Sequence, residues 1–549
     1  MDALPLNGPT HEVLNQPAPL GDVDLLAADV ALREGLEREG AGWSLAHLGQ
    51  YGRFIGSAEM MHAGALANEN PPILHTHDRY GNRIDEVEFH PAWHALMKAA
   101  MGAGIHSSPW REPRAGAHVA RAGLMILSAI NEQGHGCAIS MTYSALPALA
   151  RQPELLDEWK PHLISTEYDP RFIPASQKRG VLFGMAMTEK QGGSDVRANT
   201  TRAVPLSGRG PGREYAITGH KWFCSAPMND AFLVLAQAEG GLSCFLLPRW
   251  KPDGARNAFY IQRLKDKVGN RSNASSEIEF RGAWARMVGE EGRGVPTILE
   301  MVNHTRLDCV LGVAGMMRAA LMHAANHVAG RAAFGKRLSQ QPLMRSVLAD
   351  IAIESEAATA LSMRLARAYD GDAEAPFRRI ATAISKYWVC KRASPLIAEA
   401  LECFGGNGFV EEAPMARLYR EAPLNSVWEG SGNVICLDVL RALAKEPRAV
   451  EALIEELRLA KGMNRQLDAH RDSLEHDLAA PPDESGARTL VERLALALQG
   501  SLLVRHAPAA VSAAFCQTRL GGEWGRTFGA IPKSVDAGAI LARAWPALA

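Results

Sequence analysis

The stretch AMTEKQGGSDVRANTT, residues 186–201, is the polar turn on which the interpretation of this chain depends. Gly192 and Gly193 are followed at once by Ser194, and Thr188 lies just upstream. Glycines let a turn present several backbone N–H groups on one concave face, where hydroxyls can join them. Such a loop binds a phosphate or the polar edge of a heterocycle, or it is only a polar connection between two elements. The turn alone leaves both possibilities open.

The sequence changes its periodicity on either side of this turn. Residues 1–180 space their apolar residues by three and four and predict a mainly helical domain. The segment EYAITGHKWFCSAP (214–227) is rich in β-branched and aromatic residues, and with its neighbours it predicts a β-domain over 181–290. Long helical runs over 291–445 are typical of a bundle. Residues 446–549 predict one more helical section at the C-terminus.

Bulk composition excludes several classes of protein. The 549 residues are 47% hydrophobic and 22% charged with a net charge of −1, which is ordinary for a globular protein of several domains. The first residues lack the basic start and apolar run of a targeting signal, and no uninterrupted apolar stretch is long enough to span a membrane. Eight scattered cysteines without a CxxC pair predict reduced thiols and a cytoplasmic protein.

The segment HKWFCSAP (220–227) combines Trp222 with Cys224 and Ser225. An indole can stack on a ring while a nearby thiol or hydroxyl bonds the edge of that ring. An aromatic residue in a strand is also a common core residue. This motif therefore indicates a ring-binding site only in combination with others.

The segment RAAFGKRLSQQP (331–342) follows a long predicted helix. Arg331 can hold a pyrophosphate through two parallel hydrogen bonds, and Gln340 or Gln341 can meet an adenine or a ribose. A single Arg-Phe-Gly after a helix is weak evidence for such a site.

Glu429 is isolated within NSVWEGSGN (425–433), between a tryptophan and a Gly-Ser-Gly-Asn turn. No Lys or Arg lies near it in the sequence. A carboxylate in this setting is either an exposed loop residue or a base held in a partly dry site.

Taken together, these segments in this order resemble the acyl-CoA dehydrogenase family. Residues 186–198 fit its first signature, and ECFGGNGFVEEAPMARLYRE (402–421) fits its second. Nearly the whole chain, including the extension past about 446, resembles the branch of this family that acts in the response to DNA alkylation. The resemblance implies a mainly α fold with an N-terminal helical domain, a central β-barrel domain, a C-terminal helical bundle and an extra C-terminal helical domain. It also implies FAD bound between the domains.

The resemblance assigns the catalytic base to Glu429. A few relatives carry the base on an earlier helix, but Thr305 occupies that position here and threonine is not a base. The isolation of Glu429 fits this role, because a salt bridge would lower its pKa. Arg306 and Arg441 are assigned to the substrate pocket for acyl-CoA.

The resemblance also assigns the contacts with FAD. Arg331 and Gln341, with Gln340 as the alternative, would reach the FAD of a neighbouring subunit, which implies a homo-oligomer and favours a tetramer. The contacts expected within one subunit are Met187, Thr188, Gly192, Gly193, Ser194, Trp222, Cys224, Ser225, Trp428, Gly430, Ser431 and Asn433.

Several departures from the family pattern favour a weak dehydrogenase. Trp428 replaces the usual tyrosine and would narrow the acyl pocket, and Cys224 stands where the family usually has threonine. The resemblance therefore implies weak, isovaleryl-CoA-type activity combined with binding of double-stranded DNA in the alkylation response, where the protein would protect or repair DNA. The alternative is a conventional dehydrogenase of a short or branched acyl-CoA. A third hypothesis is a flavin-retaining scaffold that does neither.

The sequence offers two places for a DNA contact. Residues 249–271 carry seven Lys or Arg against two Asp, although such a run can also be a solvated hairpin or a face for CoA phosphates. The extension is not basic overall, with 12 Lys or Arg against 13 Asp or Glu over 446–549. Folding would have to assemble a basic face there from Arg488, Arg493, Arg505, Arg519 and Arg526. His323 and His327 lack a third ligand, and we predict no metal.

Overall fold

The N-terminal part of the protein is a helical domain with one small hairpin. The computed structural model describes residues 10–548. Eight helices occupy this part: α1 (Val30–Arg38), α2 (Leu45–Ile55), α3 (Ala58–Glu69), α4 (Pro91–Gly102), α5 (Ser108–Arg111), α6 (Ala117–Asn131), α7 (Gly136–Leu149) and α8 (Pro153–Leu163). The hairpin of β1 (Ile73–His77) and β2 (Arg83–Glu88) interrupts them. The sequence did not indicate this hairpin.

The middle of the chain is a closed β-domain. Its strands are β3 (Phe183–Ala186), β4 (Arg202–Pro205), β5 (Glu214–Ser225), β6 (Ala231–Ala238), β7 (Gly241–Pro248), β8 (Phe259–Leu264) and β9 (Ser275–Val288). The pairing order is β3-β6-β4-β5-β9-β7, and β6 also pairs with β7. This last pairing closes the sheet on itself, so the strands form a barrel. β8 pairs with β9 beside the ring.

The third part is a helical bundle around one very long helix. Its helices are α9 (Gly294–Gly330), α10 (Pro342–Arg367), α11 (Ala375–Glu402), α12 (Pro414–Glu421) and α13 (Gly432–Lys445). A small hairpin of β10 (Ala332–Ala333) and β11 (Lys336–Arg337) follows α9. α9 is long and apolar enough to cross a membrane, but 94% of its most apolar window is buried in the protein. We therefore interpret it as the core helix of the bundle.

A buried ion pair fastens the N-terminal domain to the bundle. Arg121 on α6 is fully buried, and both of its terminal nitrogens donate to the carboxylate of Asp308 on α9. Its Nε donates to the Ile105 carbonyl at 2.8 Å, and its guanidinium lies 3.6 Å from the centre of the Tyr143 ring. Every polar group of this contact thus has a partner, which is what keeps a buried charge tolerable.

The C-terminal extension packs directly on the bundle. Its helices are α14 (Pro447–Arg458), α15 (Arg465–Ala479), α16 (Ala487–His506), α17 (Ala509–Phe515) and α18 (Ala537–Ala544), with a π-helical turn over Cys516–Leu520. Arg519 in that turn pairs with Asp350 and Glu354 of α10, and all three side chains are buried. Trp524 lies between two guanidiniums, 4.2 Å from Arg519 and 4.8 Å from Arg392.

Candidate functional site

The buried carboxylate of Glu189 fixes the shape of the loop that follows β3. Glu189 accepts hydrogen bonds from the backbone N–H groups of Thr200 and Thr201 and from Lys221 Nζ at 2.9 Å. Burial alone would raise the pKa of Glu189, but the Lys221 ammonium and these hydrogen bonds hold it well below its ordinary value. Glu189 therefore stays ionised and ties both ends of the loop together. The sequence analysis did not anticipate this role.

The glycines of this loop leave its concave face free of side chains. Gly192 has a φ of +138°, and no atom lies within 4 Å of the position that a Cβ would take. A Cβ on Gly193 would lie 2.4 Å from the Thr188 hydroxyl, so only glycine fits there. Ser194 is exposed, and Met187 and Thr188 are partly exposed. These groups fit the phosphate or polar edge of a nucleotide cofactor.

The Trp222 segment lies beside this loop. The backbone N–H of Trp222 donates to the Thr188 carbonyl at 2.8 Å, and the indole is partly exposed. The Lys265 ammonium lies 3.3 Å from the centre of the Trp222 ring.

Cys224 requires a correction, because its thiol is fully buried and does not line an open site. The pairing of β5 with β9 shifts between Lys221 and Cys224, and this irregularity breaks the simple alternation of the strand. Ser225, the next residue, is the one that remains partly exposed.

Glu429 occupies a strained turn. Its backbone φ is +58°, a left-handed conformation that residues other than glycine rarely adopt. Gly430 follows with a φ of +107°. Its Oε2 accepts a hydrogen bond from the Thr305 hydroxyl at 2.7 Å. Burial raises the pKa of Glu429, while the Thr305 hydrogen bond and the cations of Arg306 and Lys386 act in the opposite direction. Within residues 10–548 the carboxylate has no direct ion pair, and burial leaves its pKa raised above the ordinary value of a glutamate.

Three successive carbonyls of the Glu429 turn accept hydrogen bonds from two cations. Lys386 Nζ donates to the Trp428 carbonyl at 2.9 Å and also to the Gly430 carbonyl. Arg306 Nε donates to the Glu429 carbonyl at 3.0 Å. The sequence analysis missed Lys386, whose only signal is a lone cation in the apolar run AISKYWVC (383–390).

The β-domain and the Glu429 turn come together at Cys137, near the start of α7. Burial raises the pKa of the Cys137 thiol to about 11. A hydrogen bond from Ser225 lowers that pKa, and the Glu429 carboxylate raises it. Both groups therefore act on the Cys137 thiol, and Cys137 is the one cysteine of the eight that is partly rather than fully buried. We take the region around Cys137, between Ser225 of the barrel and Glu429 of the bundle, as the candidate crevice.

The two arginines predicted for the substrate pocket lie in different surroundings. Arg306 is buried, and its guanidinium is used by the Glu429 carbonyl and by Asp438, which lies 3.0 Å from Nη1. The side chain of Arg441 is 63% exposed, and the carboxylate it meets is that of Asp438 at 3.9 Å. The structure therefore does not bring Arg441 to Glu429, because the charge that attracts it lies one turn back on its own helix.

Trp428 is fixed in place beside Glu429. Its indole N–H donates to Asn425 Oδ1 at 2.7 Å, and the ring is partly exposed. Ser431 and Asn433 are exposed at the start of α13, and the Ser431 side chain makes no capping hydrogen bond there. Their polar atoms are therefore free for a ligand.

Arg331 and Gln341 lie far from this crevice. Arg331 Nη1 donates to the Asn15 carbonyl at 2.8 Å, and Gln341 Nε2 donates to the Ala333 carbonyl at 3.2 Å. Arg331 follows Thr305 by 26 positions along α9, which corresponds to about 39 Å. Phe334, at the tip of the hairpin between them, is 99% exposed.

Four of the seven cations of the basic run at 249–271 have carboxylate partners, which favours the solvated alternative for this run over a free cationic patch. Arg249 is buried against the rings of Phe172 and Phe259. Arg263 and Lys265 share the carboxylate of Glu277. The remaining partners are Asp253 for Lys251, Glu86 for Arg256 and Ser275 for Lys267. Within residues 10–548, only Arg271 of this run has no polar partner.

The extension shows the same pattern. Arg493 pairs with Asp477, Arg505 pairs with Glu456, and Arg519 is buried. Arg488 and Arg526 are the two of the five predicted arginines that have no carboxylate partner in the described part of the chain. The basic face expected from five arginines is therefore reduced to two.

Comparisons with known proteins agree with this geometry. The family described as Adaptive response protein AidB N-terminal domain matches residues 15–170. The middle and C-terminal domains of acyl-CoA dehydrogenase match residues 184–283 and 292–444. The chain is 48% identical to the putative acyl-CoA dehydrogenase AidB of Escherichia coli, over 93% of this chain and 94% of that protein.

The chain belongs to the acyl-CoA dehydrogenase family.

Solved structures extend this result. The chain is similar to Caenorhabditis elegans ACDH-11 in complex with C11-CoA, with a TM-score of 0.83, 25% identity and coverage of 98% of this chain and 97% of that one. It is similar to the apo form of Bd2924, with a TM-score of 0.82, 29% identity and coverage of 90% and 99%. Membership of the family confirms the predicted fold class, FAD as the cofactor and an acyl-CoA dehydrogenase-type oxidoreductase.

Proposed function

We propose that this protein is an AidB-like flavoprotein of the cytoplasm that oxidises a short or branched acyl-CoA slowly and binds double-stranded DNA in the alkylation response. The observation that supports the catalytic part is the Glu429 carboxylate, which accepts a hydrogen bond from Thr305 at 2.7 Å and forms no ion pair within residues 10–548. The open glycine loop of the barrel supplies a cradle for the cofactor. Bound FAD would supply the redox chemistry by accepting a hydride from the β-carbon of the substrate.

Glu429 would remove the α-proton of the thioester. That proton is weakly acidic, so a base must lie within reach and must be strong enough to take it. Burial raises the pKa of Glu429, which makes its ionised form a stronger base than an exposed glutamate. The Thr305 hydroxyl on α9 orients Oε2 of Glu429 through its hydrogen bond.

Trp428 would restrict the acyl chain, because its indole is larger than the tyrosine of the family and Asn425 fixes it. We expect Trp428→Tyr to raise the rate of flavin reduction by isovaleryl-CoA by about tenfold. A difference of about one methylene group in the volume of an apolar pocket typically changes the rate for a substrate by that factor. Anaerobic stopped-flow absorbance measures this rate. Trp388→Phe is the matched control, because its indole bonds Gln499 in the bundle. An unchanged rate for Trp428→Tyr would contradict the restriction.

Arg331 and Gln341 would contact the FAD of a second subunit in a homo-oligomer, with a tetramer as the expected form. Arg331 lies about 39 Å along α9 from Thr305, and Gln341 lies beside the same hairpin through its bond to the Ala333 carbonyl, so both lie outside the crevice of their own chain. The fully exposed Phe334 beside them is an apolar side chain that a neighbouring subunit would cover.

The DNA-binding part of the proposal is supported by the similarity to AidB and to the adaptive-response domain. The arginines available for phosphates are Arg488, Arg526 and Arg271. With two or three phosphate contacts, the logarithm of the association constant should fall with the logarithm of salt concentration with a slope of about −2 to −3. Fluorescence anisotropy of a labelled duplex, titrated across salt, measures that slope.

Single variants sharpen this test. Arg488→Ala and Arg526→Ala should each weaken binding and reduce the slope by about one. Arg493→Ala is the matched control, because Asp477 already neutralises that guanidinium. If the wild-type protein shows no salt-dependent binding, the conventional dehydrogenase is the better hypothesis.

A further inference from the structure

Lys386 is a buried cation whose partners are backbone carbonyls. It lies in the middle of α11 and is 1% exposed. Its ammonium donates to the carbonyls of Trp428 and Gly430, which flank Glu429 in the chain. No carboxylate forms an ion pair with it in the part of the chain that the structure describes. A buried ammonium without a counterion is unfavourable, so the turn must supply the compensating dipoles.

The turn that it contacts is itself unfavourable. Glu429 has a left-handed backbone, which persists only where surrounding groups determine it. Lys386 contacts the carbonyl on each side of Glu429, and Arg306 contacts the carbonyl of Glu429 itself. These contacts act on the backbone and thereby fix the direction of the Cα–Cβ bond of Glu429. None of them uses the carboxylate, which remains available to a substrate.

We propose that Lys386 is a positioning residue that holds the Glu429 turn in its left-handed conformation. The inference rests on the proposed role of Glu429 as the base. A lysine that binds the backbone carbonyls suits this task better than a cation paired with the Glu429 carboxylate. It fixes the backbone and leaves the carboxylate oxygens of Glu429 unoccupied.

Lys386 also differs from the other polar groups near Glu429. α9 contributes Arg306 and the hydroxyl of Thr305, and α7 contributes the Cys137 thiol. The charge of Arg306 is balanced by Asp438 at 3.0 Å. Lys386 is thus the cation near Glu429 whose charge has no balancing carboxylate, and its loss should raise the pKa of Glu429.

The test compares Lys386→Met with Arg458→Met. Arg458 lies on α14 and forms an exposed pair with Glu475, without a contact to residues 428–430. We expect Lys386→Met to slow anaerobic flavin reduction by isovaleryl-CoA about 10- to 100-fold, by displacing the base from its productive geometry. The pH at which reduction is half-maximal should rise, while the affinity for CoA should change less than twofold. Lys386→Arg should recover part of the rate, and Arg458→Met should behave as the wild type.

Hydrogen exchange gives a second measurement that does not depend on activity. Amides of residues 428–432 should exchange faster in Lys386→Met than in the wild type, and Arg458→Met should not change them. Wild-type values of the rate, the pH midpoint and the exchange in Lys386→Met would overturn the proposal. If that variant does not bind FAD, Lys386→Gln, whose NH2 group can still donate to a carbonyl, decides by the same three readouts.

The failure of this inference can be distinguished from that of the proposed function. If Glu429→Gln reduces its flavin as fast as the wild type, Glu429 is not the base, and the exchange data alone then report on the turn. If reduction depends on Glu429 but not on Lys386, only the positioning role is wrong.

Discussion

Replacing Glu429 with Gln is expected to slow the reduction of the flavin by acyl-CoA by about 10²- to 10⁴-fold, the usual contribution of a general base. The amide keeps the size of the side chain and can still bond Thr305, but it cannot accept the α-proton. FAD content and binding of duplex DNA should be unchanged, because neither uses this carboxylate. Stopped-flow absorbance, flavin content and anisotropy measure the three quantities on one sample.

The pH dependence follows from the same group. Only the ionised carboxylate is a base, and burial raises the pKa of Glu429. Wild-type reduction should therefore decline as the pH falls through that raised pKa, at a higher pH than for an exposed glutamate. Glu411→Gln, on the exposed surface, serves as the control for a lost carboxylate. Loss of DNA binding in Glu429→Gln would show that the two activities share one site.

Asp308→Leu is expected to lower the free energy of unfolding by about 3–5 kcal/mol, because it leaves the Arg121 guanidinium buried without its counterion. Arg121 on α6 is fully buried against α9, so water does not solvate its guanidinium in place of Asp308. The midpoint of unfolding in urea, followed by circular dichroism, measures this loss.

The double variant Arg121→Met with Asp308→Leu is the informative control. Replacing both charges by apolar side chains should recover most of the stability, since well-packed apolar groups often replace a buried ion pair at no cost. Arg458→Met, which breaks an exposed pair with Glu475, should change stability by less than about 1 kcal/mol. A double variant as unstable as Asp308→Leu would mean that Arg121 acts through its bond to the Ile105 carbonyl instead.

The architecture was predictable because its signals are local. The strand-rich segment 214–227 and the helical runs of α9 and α10 keep their period over many residues. The hairpin β1–β2 was missed because its two short strands lie inside a helical domain. Such a hairpin depends on packing against the barrel, where Arg83 reaches the Ile261 carbonyl.

The site was predictable only in part, for a physical reason. Glu429 and the glycine loop were predictable because each belongs to a short motif. The groups that orient Glu429 were not, because they come from helices distant in the sequence. Thr305 precedes it by 124 positions, and Lys386 by 43. Cys224 was predicted to line the site, but its thiol is buried because the register of β5 with β9 is irregular there. A sequence pattern does not reveal such an irregularity. The basic run at 249–271 was overestimated because its acidic partners Glu86 and Glu277 lie outside it.

The Arg519 contact limits how this protein can be divided. A chain cut before α14 would remove the Arg519 guanidinium from Asp350 and Glu354 on a helix that forms the wall of the bundle, and would leave Glu354 with Arg392 alone. Trp524 would leave with the same fragment, which would uncover Arg392. Truncation is therefore expected to destabilise the bundle, so weaker DNA binding by a truncated chain would not locate a DNA site. Point substitution is therefore the appropriate way to separate what the tail recognises from what it supports.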